Sequence, residues 1–152
     1  MSSFDGEPIY EKIREKVFIY VTYQRRTVSE VKRTFLPTFR KYNIPEEILE
    51  ELVEELQEKG HLDDKDFVKR KFKAYINFKL LSVKEISYKI LQKGIAKDLV
   101  EDYIEENREK LYEHEITSAK ILYEKKLANS SEEEVKRYLL RKGYREDIVN
   151  NL

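Results

Sequence analysis

The sequence is short of several residue types that support particular chemistries. It has no cysteine and no tryptophan, and among its 152 residues there are only four glycines, three prolines and one methionine. Without cysteine the chain has no disulfide framework and no thiol nucleophile. Four glycines can hardly supply a phosphate-binding or dinucleotide-binding loop. The scarcity of glycine and proline, with 39% charged residues, is typical of a helical, well-solvated protein.

Long hydrophobic runs are also missing. The longest apolar stretch, Val17–Val21, is far too short to cross a bilayer. The N-terminal stretch MSSFDGEPIY lacks the basic start and apolar centre of a signal peptide. We therefore expect a cytoplasmic protein with no membrane partner.

Charges of one sign are grouped although the formal net charge is zero. Residues 46–64 contain nine acidic side chains and one basic one, whereas residues 65–93 contain nine basic and two acidic ones. Net charge alone gives no argument for nucleic-acid binding. The blocks predict separate basic and acidic helix faces.

A Ser/Thr-x-x-Glu pattern occurs three times, each time before an apolar run: Thr27–Glu30, Ser82–Glu85 and Ser131–Glu134. In such a capping box the hydroxyl accepts from a free backbone N–H, and the glutamate bonds back to the N–H of the cap. The second and third occurrences are 49 positions apart. The pattern predicts three equivalent helix starts.

The helices that begin there end alike. Gly94 and Gly143 follow lysines, and Asn43 holds the matching place in the first copy; glycine and asparagine favour the left-handed conformation that ends a helix. A third helix follows each joint. Another helix precedes each capping box, and these preceding helices are predicted over residues 8–24, 64–80 and 113–127. The residues that form the predicted inner faces of these preceding helices are Ile9, Ile13, Val17, Tyr20 and Val21; Phe67, Lys71, Ala74, Tyr75 and Phe78; and Ile116, Ala119, Leu122, Tyr123 and Leu127.

These patterns predict an all-α fold of three tandem three-helix repeats, stacked into an elongated, curved body. The repeats cover residues 8–60, 61–112 and 113–152. Pro37 is expected to kink or break the second helix of the first repeat. Asp63 is expected to cap the first helix of the second repeat.

Catalytic residues are not indicated. His61 is placed in a turn and His114 at a helix start, in unrelated contexts. Asp63, Asp64 and Asp66 lack the glycine and terminal glutamate of a calcium loop, and helix capping accounts for them better. We expect no catalytic site, no metal and no cofactor.

Basic residues are the candidate binding groups. A basic helix face could follow a nucleic-acid backbone, while the acidic helices could meet a basic protein surface; mutual neutralisation of the two within the chain is the alternative. Tyr144, at a joint, is expected to be more exposed than the other tyrosines. The candidate basic residues are Arg25, Arg26, Lys32, Arg33, Lys69, Arg70, Lys73, Lys84, Lys89, Lys93, Arg137, Arg141 and Lys142.

Three stretches resemble the RecX regulatory family. The segment Gly60–Phe67 is similar to its G-x-L-D-D-x-x-F signature, with Leu62, Asp63, Asp64 and Phe67 in the matching places. The joint before Ile95 is similar to its L-x-x-K-G-I pattern and contains Gly94, and the joint before Tyr144, with Gly143, is similar to its third-repeat pattern.

The resemblance implies a monomeric, non-enzymatic modulator of the RecA recombinase. Such a protein would lie along the groove of the RecA filament, touching single- or double-stranded DNA within it, and would inhibit filament growth, ATP hydrolysis and strand exchange in DNA repair and recombination. The basic residues would then be recombinase or DNA contacts. A stand-alone helical DNA-binding module and a protein-interaction scaffold remain as alternatives.

Overall fold

The computed structural model describes residues 4–152, and within that range it contains nine α-helices and no strand. The predicted all-α class is confirmed. Residues 1–3 lie outside the described residues. They belong to the N-terminal stretch for which the sequence predicts no signal peptide. The helices are α1 (Pro8–Tyr23), α2 (Val28–Lys41), α3 (Glu46–Glu58), α4 (Asp64–Phe78), α5 (Val83–Leu91), α6 (Lys97–Glu106), α7 (Arg108–Leu127), α8 (Glu132–Lys142) and α9 (Glu146–Asn150).

Two compact units divide the chain. Unit 1 contains the described residues up to Phe67 together with Lys93–Ile95, and unit 2 contains Val68–Gln92 with Ala96–Leu152. The three predicted repeat boundaries stay a prediction. In neither unit is any helix both long enough and apolar enough to cross a membrane, within residues 4–152.

The core of unit 1 forms between α1, α2 and α3. Tyr10 and Phe39 meet there edge to face, with ring centroids 6.3 Å apart. Ile9, which the sequence places among the apolar residues of α1, is 52% exposed instead. The buried apolar residues of the three helices and their joints are Tyr10, Ile13, Val17, Val21, Val31, Phe35, Phe39, Ile44, Ile48, Leu49, Leu52, Val53, Leu56 and Leu62.

Helix α2 is continuous through Pro37, so the expected break does not occur. Pro37 lies on the exposed side of the helix, while Phe35 and Phe39 on either side of it are buried. Pro37 removes one backbone N–H donor from the helix. The burial of Phe35 and Phe39 offsets this loss, because the apolar face of α2 remains uninterrupted.

Helix α4 buries a face that overlaps only partly with the predicted one. Phe67, Val68 and Phe72 are buried, and Phe72 stacks on Tyr103 with ring centroids 4.6 Å apart. Ala74 is exposed, and Phe78 is 81% exposed at the last residue of the helix. The prediction was wrong for these two residues because the run FVKRKF offers two adjacent apolar stripes, and only tertiary packing selects between them.

Helix α7 begins at Arg108, five residues before the predicted start. His114 therefore lies inside the helix, not at its start, and its Nε2 is 2.8 Å from the carbonyl oxygen of Leu81. Leu127, predicted to be apolar core, is 38% exposed. The buried residues around α7, α8 and α9 are Leu111, Glu115, Ser118, Ala119, Val135, Leu139, Tyr144, Ile148 and Val149.

Capping boxes begin α2 and α5 as predicted. The hydroxyls of Thr27 and Ser82 each accept from a backbone N–H three residues on, and Glu30 and Glu85 each accept from the N–H of the cap. At α8 only half of the predicted box is present: the Ser131 hydroxyl accepts from the Glu134 N–H, and α8 has no capping box.

The helix ends also follow the prediction. Asn43, Gly94 and Gly143 have φ angles of 55°, 80° and 103°, all left-handed. Asp63 caps α4 by accepting from the Asp66 N–H at 3.0 Å. These are local features, set by residues only a few positions apart.

Candidate binding surface

A helix start and a helix end are joined by one side chain in each unit. In unit 1 the Thr27 hydroxyl donates to the carbonyl of Lys93 at 2.7 Å, and in unit 2 the Ser82 hydroxyl donates to the carbonyl of Lys142 at 2.8 Å. Both hydroxyl residues are fully buried. Each therefore satisfies backbone groups of two helices that are distant in sequence.

At each of these helix starts a carboxylate from another helix accepts a hydrogen bond from the backbone N–H that follows the hydroxyl residue. Asp64 accepts from the backbone N–H of Val28 at 3.0 Å, and Glu115 accepts from that of Val83 at 2.8 Å. Burial raises the pKa of Asp64 and of Glu115 above the ordinary carboxyl value, although the bond from Val28 or Val83 opposes the shift. The signature residue Asp64 is thus part of a helix-joining contact.

The glycines allow the close approach. A Cβ placed on Gly94 would overlap the side chain of Ser29. A Cβ on Gly143 would come within 3.0 Å of both Lys84 Cβ and Ser82 Oγ. Each joint therefore requires a residue that has no side chain and adopts a left-handed φ.

The predicted basic residues of unit 1 differ in what they contact. Arg25 forms an ion pair with Asp66 at 3.0 Å. The guanidinium of Arg26 lies 3.9 Å from the centre of the Tyr20 ring, a cation–π contact. The remaining predicted basic residues of unit 1 are Lys32, which is half-buried, and Arg33 and Lys93, which are exposed.

In unit 2 the basic residues of α4 and α5 are exposed. Lys69, Arg70 and Lys73 lie within one turn of each other on α4, and we call them the α4 basic patch. Lys84 and Lys89 on α5 are also exposed. Exposed lysine side chains such as those of Lys69, Lys73, Lys84 and Lys89 extend their charged ends toward water.

The basic residues of α8 are divided. Arg137 and Arg141 are exposed. Lys142 is not, because its Nζ lies 2.8 and 3.0 Å from the two carboxylate oxygens of Glu85. Lys142 therefore stabilises the contact between the end of α8 and the start of α5 twice, through its ammonium on Glu85 and through its carbonyl, which accepts from Ser82.

Two exposed aromatic side chains accompany the basic residues of unit 2 and were not predicted as site residues. Phe78 is 81% exposed and Tyr88 is 64% exposed. Lys84 and Lys89 lie four positions before and one after Tyr88 on α5. The sequence signal was an aromatic residue flanked by lysines at helical spacing, which base-stacking surfaces also show.

Tyr144 does not belong to that exposed group. It is 3% exposed, and its hydroxyl shares a hydrogen bond with Ser118. Burial raises the pKa of Tyr144 to about 12, with the bond to Ser118 opposing the shift. The predicted exposure was wrong because the residue after the joint packs into the core of α7, α8 and α9.

The acidic side of unit 1 surrounds a half-buried ion pair. Arg14 on α1 donates two hydrogen bonds to the Glu55 carboxylate on α3, at 2.9 and 3.1 Å. The bond from Arg14 lowers the pKa of Glu55 to about 2, and Lys59 contributes to the shift. A groove of about 550 Å³ beside this pair is lined by Asp5, Glu11, Glu51, Glu54 and Glu58, among others.

The two histidines lie in separate environments. His61 packs edge to face against Phe18, with ring centroids 5.1 Å apart. Within residues 4–152 no group of three or more His, Cys, Asp or Glu side chains is arranged to hold a metal ion.

Several curated proteins named regulatory protein RecX are similar in sequence to this chain. No family model matches the chain. The regulatory protein RecX of Staphylococcus carnosus is 28% identical over 134 residues, which is 86% of this chain and 49% of that protein. A RecX of Clostridium botulinum (strain Eklund 17B) is 31% identical over 70% of this chain and 52% of its own length. The RecX of Finegoldia magna is 27% identical over 88% of this chain and 66% of its own length.

Solved structures show the same fold. The crystal structure of RecX from Lactobacillus salivarius superposes with a TM-score of 0.76 at 24% identity, over 94% of this chain and 93% of that one. A second crystal structure of a regulatory protein RecX gives a TM-score of 0.73 at 22% identity, over 94% of this chain and 72% of that one.

Residues 4–152 form an all-helical fold in which buried apolar cores are combined with side-chain bonds between helix starts and helix ends. Its curated homologues are regulatory proteins named RecX and its structural neighbours are RecX crystal structures, so the resemblance to the RecX family is confirmed. The chain spans about half the length of the S. carnosus and C. botulinum relatives, at 49% and 52%.

Proposed function

We propose that this protein binds a RecA-type recombinase filament and restrains its growth, ATP hydrolysis and strand exchange. The regulatory role comes from the named relatives. The observation that carries the contact on this chain is the α4 basic patch, where Lys69, Arg70 and Lys73 are exposed together on one helix. The recombinase filament contains DNA, whose phosphates attract such a patch.

Binding without catalysis is the mechanism that fits these residues. The exposed lysines and arginines are spread over both units, at Arg33, the α4 basic patch, Lys84, Lys89, Arg137 and Arg141. Several weak charged contacts on one chain give a combined affinity well above that of any single contact. A protein that touches more than one filament subunit in this way would hold the filament in one state and oppose its extension.

The test compares two charge-reversed proteins in recombinase assays. K69E/K73E reverses two charges of the α4 basic patch, while K12E/K16E reverses two exposed lysines of α1 and serves as the matched control. We expect K69E/K73E to lose at least tenfold in inhibition of ATPase activity and strand exchange. The control should keep inhibition near that of the wild type.

Three results would contradict the proposal. If the wild-type protein changes neither the ATPase activity nor the strand exchange of the recombinase, the proposed function is wrong. Equal loss in both variants means that overall charge is responsible, not the patch. Full inhibition by K69E/K73E, with unchanged helix content by circular dichroism, means that the contact lies elsewhere.

Direct binding of single-stranded DNA is a second candidate, supported by the exposed rings of Phe78 and Tyr88. Aromatic rings beside lysines stack on bases, and each stack contributes roughly 1–3 kcal/mol. F78A/Y88A should weaken binding to a labelled oligonucleotide in low salt about tenfold or more, while I9A/I19A, exposed on α1, should not. Equal affinities of the two variants would exclude stacking by these rings.

A further inference from the structure

The ion pair between Arg14 and Glu55 lies between two hollows that α1 and α3 form on the surface of unit 1. One hollow is the acidic groove of about 550 Å³. The other, of about 450 Å³, shares Arg14, Leu52 and Glu55 with it and is also lined by Phe18 and His61. We call the two hollows together the α1–α3 groove. Its second end is apolar, because Phe18 is 48% exposed there above the buried Leu52.

The acidic end of the α1–α3 groove contains carboxylates that have no partner. Glu51, Glu54 and Glu58 are exposed on α3, and none of their side chains forms an ion pair or a hydrogen bond within residues 4–152. On the same helix Glu55 binds the guanidinium of Arg14 through both carboxylate oxygens. The groove therefore already contains one arginine held by an α3 glutamate in the two-bond geometry that these groups favour.

The outward side of α8 carries groups that match this groove. Arg137 and Arg141, one helical turn apart, are exposed, and neither guanidinium has a partner within residues 4–152. Leu140 lies beside them and is 41% exposed. We call Arg137, Leu140 and Arg141 the α8 outer face. An apolar side chain between two cations is complementary to a groove that has one apolar end and one acidic end.

Other basic surfaces of the chain match the groove less well. The remaining arginines without a partner among the described residues are Arg33 and Arg40, which are two helical turns apart on α2. The exposed basic residues of α5 are lysines, Lys84 and Lys89. An ammonium is a point charge and cannot form the paired, parallel bonds that a guanidinium forms with a carboxylate.

We propose that the α1–α3 groove of one copy of this chain binds the α8 outer face of a second copy. Glu54 and Glu58 are four positions apart on α3, as Arg137 and Arg141 are on α8. Residues at this spacing are about 6 Å apart along a helix, so two ion pairs can form at once. Leu140 would then pack against the apolar end of the groove.

The association is weak, because exposed ion pairs contribute little to affinity. The chain is therefore a monomer in dilute solution, as the family resemblance implies, and associates where its local concentration is high. Copies bound side by side on a polymer have such a concentration. That consequence rests on the proposed function, whereas the association itself does not.

The experiment follows self-association by sedimentation velocity in low salt, with protein concentrations up to the millimolar range. The wild type should form larger species as its concentration rises, and added salt should dissociate them. R137E/R141E and E54K/E58K should each weaken the association at least tenfold. K84E/K89E is the matched control, since it changes the net charge as R137E/R141E does, at two exposed lysines outside both surfaces. It should associate as the wild type does.

A charge swap provides the decisive variant. R137E/R141E/E54K/E58K has the net charge of the wild type, with the signs reversed on both surfaces. It should regain most of the self-association that either pair of changes removes, because the reversed surfaces again attract each other. Circular dichroism checks that every variant keeps its helix content.

Four results would overturn the proposal. Wild-type protein that stays monomeric at millimolar concentration in low salt would leave the groove to a basic helix of another protein. Wild-type association in R137E/R141E or in E54K/E58K would place the contact elsewhere. An equal loss in K84E/K89E would assign the effect to overall charge. A folded charge-swap variant without recovery would show that the two surfaces do not meet. The measurement involves no recombinase, so its failure is distinct from failure of the proposed function.

Discussion

The hydroxyl of Ser82 donates to the carbonyl of Lys142 at 2.8 Å while it accepts from the backbone N–H of Glu85 at 3.1 Å. One side chain therefore begins α5 and ends α8. Both bonds are made by a residue with no exposed surface, so water cannot replace them if the hydroxyl is removed.

The first prediction compares S82A with S131A. S82A should lower the free energy of unfolding by about 2–3 kcal/mol, because two backbone groups lose their partner in a buried place. S131A should cost about 1 kcal/mol or less, since Ser131 is exposed. Urea denaturation followed by circular dichroism measures both, and equal losses would show that the contact with Lys142 adds nothing.

The second prediction concerns the two glycines Gly94 and Gly60, whose φ angles are 80° and 79°. G94A should cost about 3 kcal/mol or more, from the left-handed backbone and from overlap with Ser29. G60A should cost only about 1 kcal/mol, because a Cβ there meets nothing within 4 Å.

The G94A loss can be assigned to Ser29 by a double variant. G94A/S29G removes the side chain that the new Cβ would overlap. The double variant should recover part of the lost stability, giving a coupling of about 1 kcal/mol or more between the two positions. Strict additivity of the two changes would contradict the close approach.

The third prediction uses the buried Glu115, whose pKa is raised by burial. A raised carboxyl pKa favours the protonated folded form, so this contribution to stability is present below the ordinary pKa and is lost as pH rises through the raised value. E115Q keeps an acceptor for Val83 without the charge, and should equal or exceed the wild type in stability at pH 7. Its advantage should vanish at acidic pH.

E115A separates the charge from the hydrogen bond. It leaves the Val83 N–H without its acceptor and should cost about 1–3 kcal/mol throughout the pH range. Thermal or urea unfolding at pH 4 and pH 7 provides the comparison. An E115Q protein that is less stable than the wild type at pH 7 would mean that the ionised carboxylate stabilises the fold.

The fourth prediction has the opposite sign. Arg14 lowers the pKa of Glu55 to about 2, so the stabilisation is present above the ordinary pKa of this carboxyl and is lost as pH falls toward 2. E55Q should cost about 0.5–1 kcal/mol at pH 7, discounted for partial exposure, and much less near pH 2. E51Q removes an exposed charge from the same helix without breaking the ion pair with Arg14, and should cost less stability than E55Q at pH 7.

Local signals in the sequence correctly predicted the helix starts and ends that carry a capping residue or a left-handed joint, but not the start of α7. The capping residues Thr27 and Ser82, and the left-handed Asn43, Gly94 and Gly143, act on backbone groups three to five positions away. Such bonds form wherever the residues occur in that order, because the chain between them is already helical. The all-α class and the buried stripe of α3 follow from the same short-range periodicity.

The basic residues were predicted as a group, but their individual surroundings were not. Lys142 and Lys84 look alike in the sequence, yet the first is paired with Glu85 and the second is exposed. The residues that meet are 57 positions apart, and no local pattern relates them. The exposure of the Phe78 and Tyr88 rings depends on which helix faces pack together, so the lysines beside Tyr88 in the sequence could not establish it.

The sequence by itself determined that the chain is helical, where the capped helices α2, α5 and α8 begin, and which joints need a left-handed residue, since each depends on neighbours within about one helical turn. Only the tertiary structure decided that Tyr144 and Glu115 are buried, that Thr27 and Ser82 each join two distant helices, and that Ser131 is left exposed. Those outcomes depend on which apolar faces pack together, and packing brings together residues about 60 positions apart in the chain.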